Sequence, residues 1–466
     1  MIQLLRKDKL DFLCGLLSCI QLLLIAINKF LLTDSINYIL YINLYVTLCV
    51  FILNIITKNI LQHFLVFSFY VCFFIFLLSQ KIFSDEYNVC LTFVRAELGI
   101  KEYLIFNSIL SIGLIITYFS YNINLNIKFK QYISCLKTNN KIVKFVWIFL
   151  LPLACYMQFA IVYNKSFMSY ESGYLINIDL PYVVKIGYYL FSSLTFIYLA
   201  IRPSKLELVF IIFINVILEG GVQLLQGRRA LFMTTILFWI WYIIKYFKIK
   251  KLKKIYQGAA GIFCLAAIVF LYYVEAIRGN KKFNSLSVLD ILKNFFLSTG
   301  GSDSVIANTI INENLLNENG FLFLFNPIIY NPITNVIFGK LGINHGIEHI
   351  NNFYNYSHWI SYTTNSELYF LGYGMGSSYL AELYIAGGIL GVTIVSYIIG
   401  YVIRQLDDFT FNKKNFFISF KFILVYSIFT LPRSGLFEWF SKFVYLLITI
   451  IIIIALNIIF NKHKSA

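Results

Sequence analysis

Residues 442–460, KFVYLLITIIIIIALNIIF, carry one charged side chain, at the first position, and are otherwise almost wholly apolar. A helix of about 20 apolar residues is long enough to cross the hydrocarbon layer of a membrane. Runs of similar length and character recur along the chain, for example at residues 12–32, 60–79 and 206–225. The sequence therefore predicts an all-α, polytopic integral membrane protein.

The composition leads to the same prediction. Of the 466 residues, 59% are hydrophobic and only 13% are charged, whereas a soluble domain carries about 25% charged residues. So few charges cannot cover a water-exposed surface, which excludes an ordinary soluble enzyme. We predict about twelve transmembrane helices, at residues 12–32, 36–57, 60–79, 103–122, 144–163, 183–201, 206–225, 230–246, 256–275, 379–402, 416–431 and 442–460.

The predicted spans divide the chain into three regions. Residues 1–275 hold spans one to nine, residues 276–378 form one large external loop, and residues 379–466 hold the last three spans. Long connections inside a compact fold are uncommon and are usually functional. Because this loop contains apolar and aromatic stretches, we expect it to form short helices along the outer membrane face.

The net charge of +16 indicates how the chain is oriented. Lys and Arg are concentrated in short loops on the side of the basic N-terminus, at residues 128–144 and 245–254. Cytoplasmic loops carry such an excess, so we expect both termini in the cytoplasm and the large loop outside. This placement explains the basic charge without a nucleic-acid partner.

Four arginines fall on the predicted outer side, where basic residues are disfavoured. Arg228 and Arg229 lie in the turn between spans seven and eight, Arg278 begins the large loop, and Arg433 lies between spans eleven and twelve. The planar guanidinium matches phosphate oxygens, so the set predicts a pyrophosphate-binding site. Alternatively, each arginine reaches toward lipid headgroups or pairs with an acid such as Glu438.

The large loop also contains three of the five histidines, His345, His349 and His358. His349 and His358 are candidates for a general base, because an accessible histidine titrates near neutral pH. A zinc site at His345 and His349 is a weaker prediction, since the glutamate that follows the first histidine in zinc proteases is missing. The eight cysteines fall mostly within spans and indicate neither a zinc site nor a disulfide framework. We expect no metal.

Two acidic residues lie within predicted spans. Glu382 belongs to the segment Gly374–Gly388, GMGSSYLAELYIAGG, and lies about one turn inside the tenth apolar stretch. Glu219 lies near the outer end of the seventh span. An ionisable group inside a membrane span is energetically costly and usually has a function, so Glu382 in particular is a candidate for acid–base chemistry. Either carboxylate could instead form a structural ion pair with one of the arginines.

With these residues, the chain resembles the O-antigen polymerases (Wzy-type, oligosaccharide repeat-unit polymerases). The similarity extends over most of the length through the pattern of spans. Its more specific elements are Gly227-Arg-Arg, Arg278-Gly, the Gly374–Gly388 segment and Pro432-Arg-Ser-Gly. The resemblance implies a helical architecture like that of GT-C glycosyltransferases, with a large periplasmic loop.

The resemblance also implies a reaction and its partners. Two undecaprenyl-pyrophosphate-linked oligosaccharides meet at the periplasmic face of the bacterial inner membrane, and one glycan moves from its lipid carrier to a hydroxyl of the other. The glycosyl-pyrophosphate bond supplies the energy, so no cofactor is expected. The arginines would hold the pyrophosphate, and Glu382, His358 or His349 would accept the proton. A chain-length regulator is left open as a further partner.

Two other functions fit parts of the sequence. An O-antigen ligase uses the same donor but transfers the glycan to lipid A–core, and the sequence separates it poorly from a polymerase. A lipid-linked oligosaccharide flippase or another transporter also has about twelve spans. Such a transporter would have short loops and related halves, and both the 276–378 loop and the external arginines argue against it.

Overall fold

The computed structural model describes residues 60–83, 88–90, 95–123, 140–165, 180–226, 228–249, 266–274, 301–337, 353–411 and 417–465, with a few isolated positions between them. The span predicted at 12–32, most of the span at 36–57, and the side chains of Arg278, His345 and His349 lie outside the described residues.

The described chain is predominantly helical. Its helices are α1 (Phe64–Phe83), α2 (Ile100–Asn122), α3 (Asn140–Lys165), α4 (Tyr182–Ala200), α5 (Lys205–Asn215), α6 (Val222–Leu225), α7 (Arg229–Tyr246), α8 (Ser304–Ile311), α9 (Glu313–Leu316), α10 (Gly320–Ile329), α11 (Pro332–Ile337), α12 (Tyr356–Thr364), α13 (Ser366–Phe370), α14 (Tyr379–Asp407), α15 (Phe417–Thr430) and α16 (Trp439–Ser465).

Three kinds of shorter element complete the fold. A π-helical turn, Val216–Gly221, joins α5 to α6, and 3-10 turns occupy Gly301–Asp303, Asn317–Asn319 and Leu431–Arg433. Two three-residue strands, β1 (Asn88–Cys90) and β2 (Arg95–Glu97), pair antiparallel. The prediction of an all-α chain therefore needs one small amendment, this ribbon between α1 and α2.

Within the described residues, six helical segments are long and apolar enough to cross a membrane: Lys101–Asn122, Asn140–Asn164, Tyr182–Ala200, Lys205–Leu225, Tyr379–Asp407 and Trp439–Phe460. They coincide with predicted spans four, five, six, seven, ten and twelve. A shorter apolar helix covers Phe64–Phe76, within α1. Helices α7 and α15 coincide with predicted spans eight and eleven. The chain is thus an integral membrane protein by the length and composition of its helices.

Helices α2 and α14 pack closely because small residues line their contact. A Cβ on Gly400 would overlap the carbonyl oxygen of Thr117, and a Cβ on Gly113 would lie 2.7 Å from Leu380. The hydroxyl of Thr117 also donates to the carbonyl oxygen of Ser396, at 3.3 Å. Such small-residue contacts are the usual way in which membrane helices approach one another, since the lipid offers no hydrophobic drive for association.

Helices α7 and α15 run antiparallel, as their side-chain contacts show. Near the start of α7, Thr235 hydrogen bonds with Tyr426 at 3.3 Å, and further along Phe238 packs edge-on against Phe422. The first residue of α7, Arg229, therefore lies at the same end of the bundle as Thr430, the last residue of α15.

The opposite end of the bundle is organised around Asp407, the last residue of α14. Its buried carboxylate accepts the backbone N–H groups of Leu65 and Val66, at 3.1 and 3.2 Å. The Tyr121 hydroxyl donates to the same carboxylate at 3.2 Å, and Lys245 donates to the backbone carbonyl of Asp407. The start of α1 and the ends of α2, α7 and α14 thus meet here.

The short helices α8–α13, within the 276–378 region, pack on the other end of α14. The Tyr384 hydroxyl donates to the Glu313 carboxylate at 2.9 Å. A Cβ on Gly320 would lie 2.5 Å from the carbonyl oxygen of Ile385, so α10 approaches the backbone of α14 directly. These helices cover the first two turns of α14, which carry Glu382.

Candidate active site

Helix α14 is interrupted at two glycines. Gly387 has φ −152° and ψ 17°, and Gly388 has φ 59° and ψ −154°, so the helix breaks between Ala386 and Ile389. The positive φ at Gly388 belongs to a region that glycine adopts without steric strain. Discontinuous helices commonly form the binding sites of membrane transporters. The break leaves Tyr379–Ala386 as a separate short segment that carries Glu382 in its first turn.

Glu382 is buried and held by two hydrogen bonds. Its side chain is 6% exposed. Oε1 accepts the Ser377 hydroxyl at 2.7 Å, and Oε2 accepts the backbone N–H of Leu436 at 3.0 Å. Hydrogen bonds to a charged group contribute about 2 kcal/mol each. Within the described part of the chain, the Ser377 hydroxyl and the Leu436 N–H are the groups that bind the Glu382 carboxylate. Glu382 therefore forms no ion pair with a described arginine, which was the alternative that the sequence allowed.

Gly435 brings two sequence motifs together. A Cβ at this position would lie 2.5 Å from Oε1 of Glu382, so only a glycine lets the Pro432–Gly435 segment approach the carboxylate so closely. The Gly374–Gly388 segment and the Pro432-Arg-Ser-Gly segment, which are separated by 43 residues in the sequence, therefore meet at the Glu382 carboxylate.

The three described arginines lie at the same end of the bundle as Glu382. Arg433 ends the 3-10 turn that follows α15, is half-buried, and acts electrostatically on Cys72. Arg228 immediately precedes α7 and is exposed, and its charge acts electrostatically on Tyr189. Arg229 is half-buried. Because α7 and α15 are antiparallel, the start of α7 and the end of α15 share this end.

His358 and Glu382 contact different residues. Nδ1 of His358 hydrogen bonds with the Tyr369 hydroxyl at 2.9 Å, and the His358 side chain is half-buried. The residue of α12 that lies near Glu382 is Tyr356, which hydrogen bonds with Thr309. Burial raises the pKa of Tyr356 above its ordinary value; the Thr309 hydrogen bond opposes this rise and the Glu382 charge adds to it. Tyr356 is therefore a neutral hydroxyl beside the carboxylate.

A second polar cluster surrounds Glu219, in the π-helical turn. Oε1 of Glu219 is buried and has no hydrogen-bond partner in the described structure. The carboxylate lines a small cavity together with polar and aromatic side chains from α4, α5, α7 and α15: Ser192, Thr195, Phe196, Asn215, Phe238, Trp239 and Tyr426. π-Helical turns are frequent at functional sites.

Lys442 links the two clusters. Its ammonium lies 3.8 Å from the centroid of the Tyr426 ring, and the charges of Glu219 and Glu438 act on it. Glu438 and Lys442 are four residues apart at the start of α16, the spacing at which side chains on a helix meet. The contacts of Lys442, Ser377 and the Leu436 amide with the two carboxylate clusters were not predicted from the sequence. The one signal there was a lysine at the start of the most apolar span.

Among the described residues, no group of three or more His, Cys, Asp or Glu side chains is arranged to hold a metal ion. His349, which the sequence placed beside His345, lies outside those residues.

A family model described as O-antigen polysaccharide polymerase Wzy matches residues 13–464, nearly the full length. No curated protein and no solved structure matches the chain significantly. The family match includes both the segment that carries Glu382 and the segment that carries Arg433.

Proposed function

The chain belongs to the Wzy family of O-antigen polysaccharide polymerases, and we propose that it joins undecaprenyl-pyrophosphate-linked repeat units at the periplasmic face of the inner membrane. One lipid-linked glycan is the donor, and a hydroxyl of a second lipid-linked repeat unit is the acceptor. The acceptor oxygen attacks the anomeric carbon of the donor, and the bond from that carbon to the pyrophosphate breaks.

Arg228, Arg229, Arg278 and Arg433 bind the pyrophosphate in this proposal. Guanidinium groups stabilise the negative charge that develops on the departing pyrophosphate, more strongly in a site that excludes water. This electrostatic role requires no metal ion. The common location of the three described arginines, at the Glu382 end of the bundle, supports it.

Glu382 is the proposed general base. The observation that carries this proposal is a buried carboxylate held in one orientation by Ser377 and the Leu436 amide, next to the segment of Arg433. A fixed carboxylate can accept the proton of an acceptor hydroxyl as the new bond forms. His358 and His349 are the alternative bases.

The test is reconstitution of the purified protein with lipid-linked repeat units, with EDTA and without nucleotide, read as a glycan ladder on a gel. We expect a ladder from the wild type and none from Glu382→Gln, because the amide cannot accept the proton. Glu367→Gln, at an exposed position on α13, is the matched control and should leave the ladder intact. A product that appears only when lipid A–core is added would instead identify a ligase.

The arginines are tested by Arg228→Lys. Lysine keeps the charge but loses the two-pronged contact with phosphate oxygens, so we expect the KM for the lipid-linked donor to rise several-fold. Donor titration in the same ladder assay measures this change. An unchanged KM would leave Arg228 outside the pyrophosphate site.

A further inference from the structure

We propose that Glu438 takes the proton from Glu382 and releases it to water, so that the two carboxyl groups act as a relay in each transfer. This inference rests on the proposed role of Glu382 as base. It assigns a role to Glu438, which the sequence indicated only as a partner for an arginine.

Both carboxylates contact the same short turn. The Gly435 N–H donates to Oε1 of Glu438 at 3.0 Å, and the next N–H, of Leu436, donates to Oε2 of Glu382 at 3.0 Å. The other Glu382 oxygen lies against Gly435, where a Cβ would stand 2.5 Å away. The two carboxylates therefore bind consecutive N–H groups of one turn, and the charge of Glu438 acts on Glu382.

The two carboxylates differ in exposure. Glu382 is buried, whereas Glu438 is exposed and immediately precedes α16. In this proposal the proton of Glu382 reaches water through Glu438, at the boundary of the membrane span.

The surrounding charges favour release of the proton from Glu438, because a nearby ammonium stabilises the carboxylate form. On α16, the Lys442 ammonium lies one turn beyond Glu438, and its charge interacts with the Glu438 carboxylate. The charge of Glu219 also interacts with Lys442. On α12, the group near Glu382 is the neutral hydroxyl of Tyr356.

The proton passes from the acceptor hydroxyl to water in three steps. The acceptor hydroxyl loses its proton to the Glu382 carboxylate as its oxygen bonds to the anomeric carbon and the pyrophosphate leaves. Glu382 passes the proton to the Glu438 carboxylate, and Glu438 releases it to water. Both carboxylates are then ionised again for the next transfer.

Glu438 also has a structural contact that the test must separate from the relay. Its carboxylate accepts the Gly435 N–H, three residues earlier, in the turn that precedes α16. Glutamine can keep this hydrogen bond, because its side-chain oxygen accepts the same N–H. Glu438→Gln therefore keeps the contact and removes only the titratable group.

The experiment measures ladder formation by Glu438→Gln across pH, with and without added imidazole as a small proton carrier. We expect turnover to fall about tenfold or more, within the range of lost acid–base catalysis, with an unchanged KM for the acceptor. Imidazole should restore much of the loss in this variant and have no effect on the wild type. Glu318→Gln, at an exposed position between α9 and α10, is the control and should match the wild type.

Two outcomes would overturn the relay: wild-type turnover in Glu438→Gln, or a loss that imidazole does not restore. Glu438→Asp is the second variant, which keeps a titratable group and should retain more activity than Glu438→Gln; equal loss in both would also overturn it. A wild-type protein that makes no ladder would instead refute the proposed function itself, so the two failures are distinguishable.

Discussion

Gly435 has no side chain, and Oε1 of Glu382 occupies the space beside it where a Cβ would lie, at 2.5 Å. The alanine variant must therefore push the carboxylate away from Ser377 and the Leu436 amide. We expect Gly435→Ala to reduce ladder formation about tenfold or more, because a hydrogen bond to a charged group contributes about 2 kcal/mol.

The matched control for this variant is Gly374→Ala. A Cβ at Gly374 would come no nearer than 3.9 Å to Ser361, an ordinary contact. Turnover and thermal unfolding of both variants, measured in detergent, should show a loss of activity for Gly435→Ala alone. Equal activity in the two variants would mean that the position of the Glu382 carboxylate does not limit the reaction.

At the scale of a helix, the first turn of α1 is fixed by a residue from another helix. Asp407 accepts the N–H groups of Leu65 and Val66 at 3.1 and 3.2 Å, which the helix itself leaves without partners. Loss of a helix cap destabilises a protein by about 1–2 kcal/mol. Asp407→Ala should therefore lower the thermal unfolding midpoint, measured in detergent.

The neighbouring residue provides the control. Asp408 pairs with Arg404 at 3.4 Å, but its side chain is 63% exposed, and exposed ion pairs contribute little to stability. Asp408→Ala should thus leave the midpoint almost unchanged. A midpoint for Asp407→Ala equal to that of Asp408→Ala would show that α1 does not depend on this cap.

At the scale of the whole molecule, the orientation of the bundle decides where the site faces. The Glu382 end holds the three described arginines and α8–α13, and the Asp407 end holds Lys245 and Arg404. The loop bias of basic residues predicts that the Asp407 end faces the cytoplasm. In a chain without native cysteines, Asn317→Cys should react with an impermeant thiol reagent in intact spheroplasts, and Lys248→Cys only after lysis.

Both test positions are exposed, so labelling reports sidedness rather than burial. Asn317 precedes α10, which packs on the Glu382 segment, and Lys248 follows α7 at the other end. The reverse pattern would place the candidate site in the cytoplasm and contradict the proposed periplasmic reaction.

The membrane-spanning helices could be predicted from the sequence, because hydrophobicity over about 20 residues is a local property. It also singled out Glu382 and the arginines, since a charged side chain in or beside an apolar span is visible without a structure. The predicted spans at 103–122, 183–201 and 379–402 coincide with α2, α4 and α14.

The groups that these residues contact could not be predicted from the sequence and are seen in the folded chain. One hydrogen bond to Glu382 comes from the backbone N–H of Leu436. Every residue except proline has such an N–H, so the sequence cannot indicate which one binds the carboxylate. The π-helical turn at Glu219 and the position of Lys442 over Tyr426 are equally invisible there. Hydropathy specifies that a helix forms. Which helices lie next to it depends on how side chains from distant segments fit together. At Gly435 that fit brings two carboxylates to one turn.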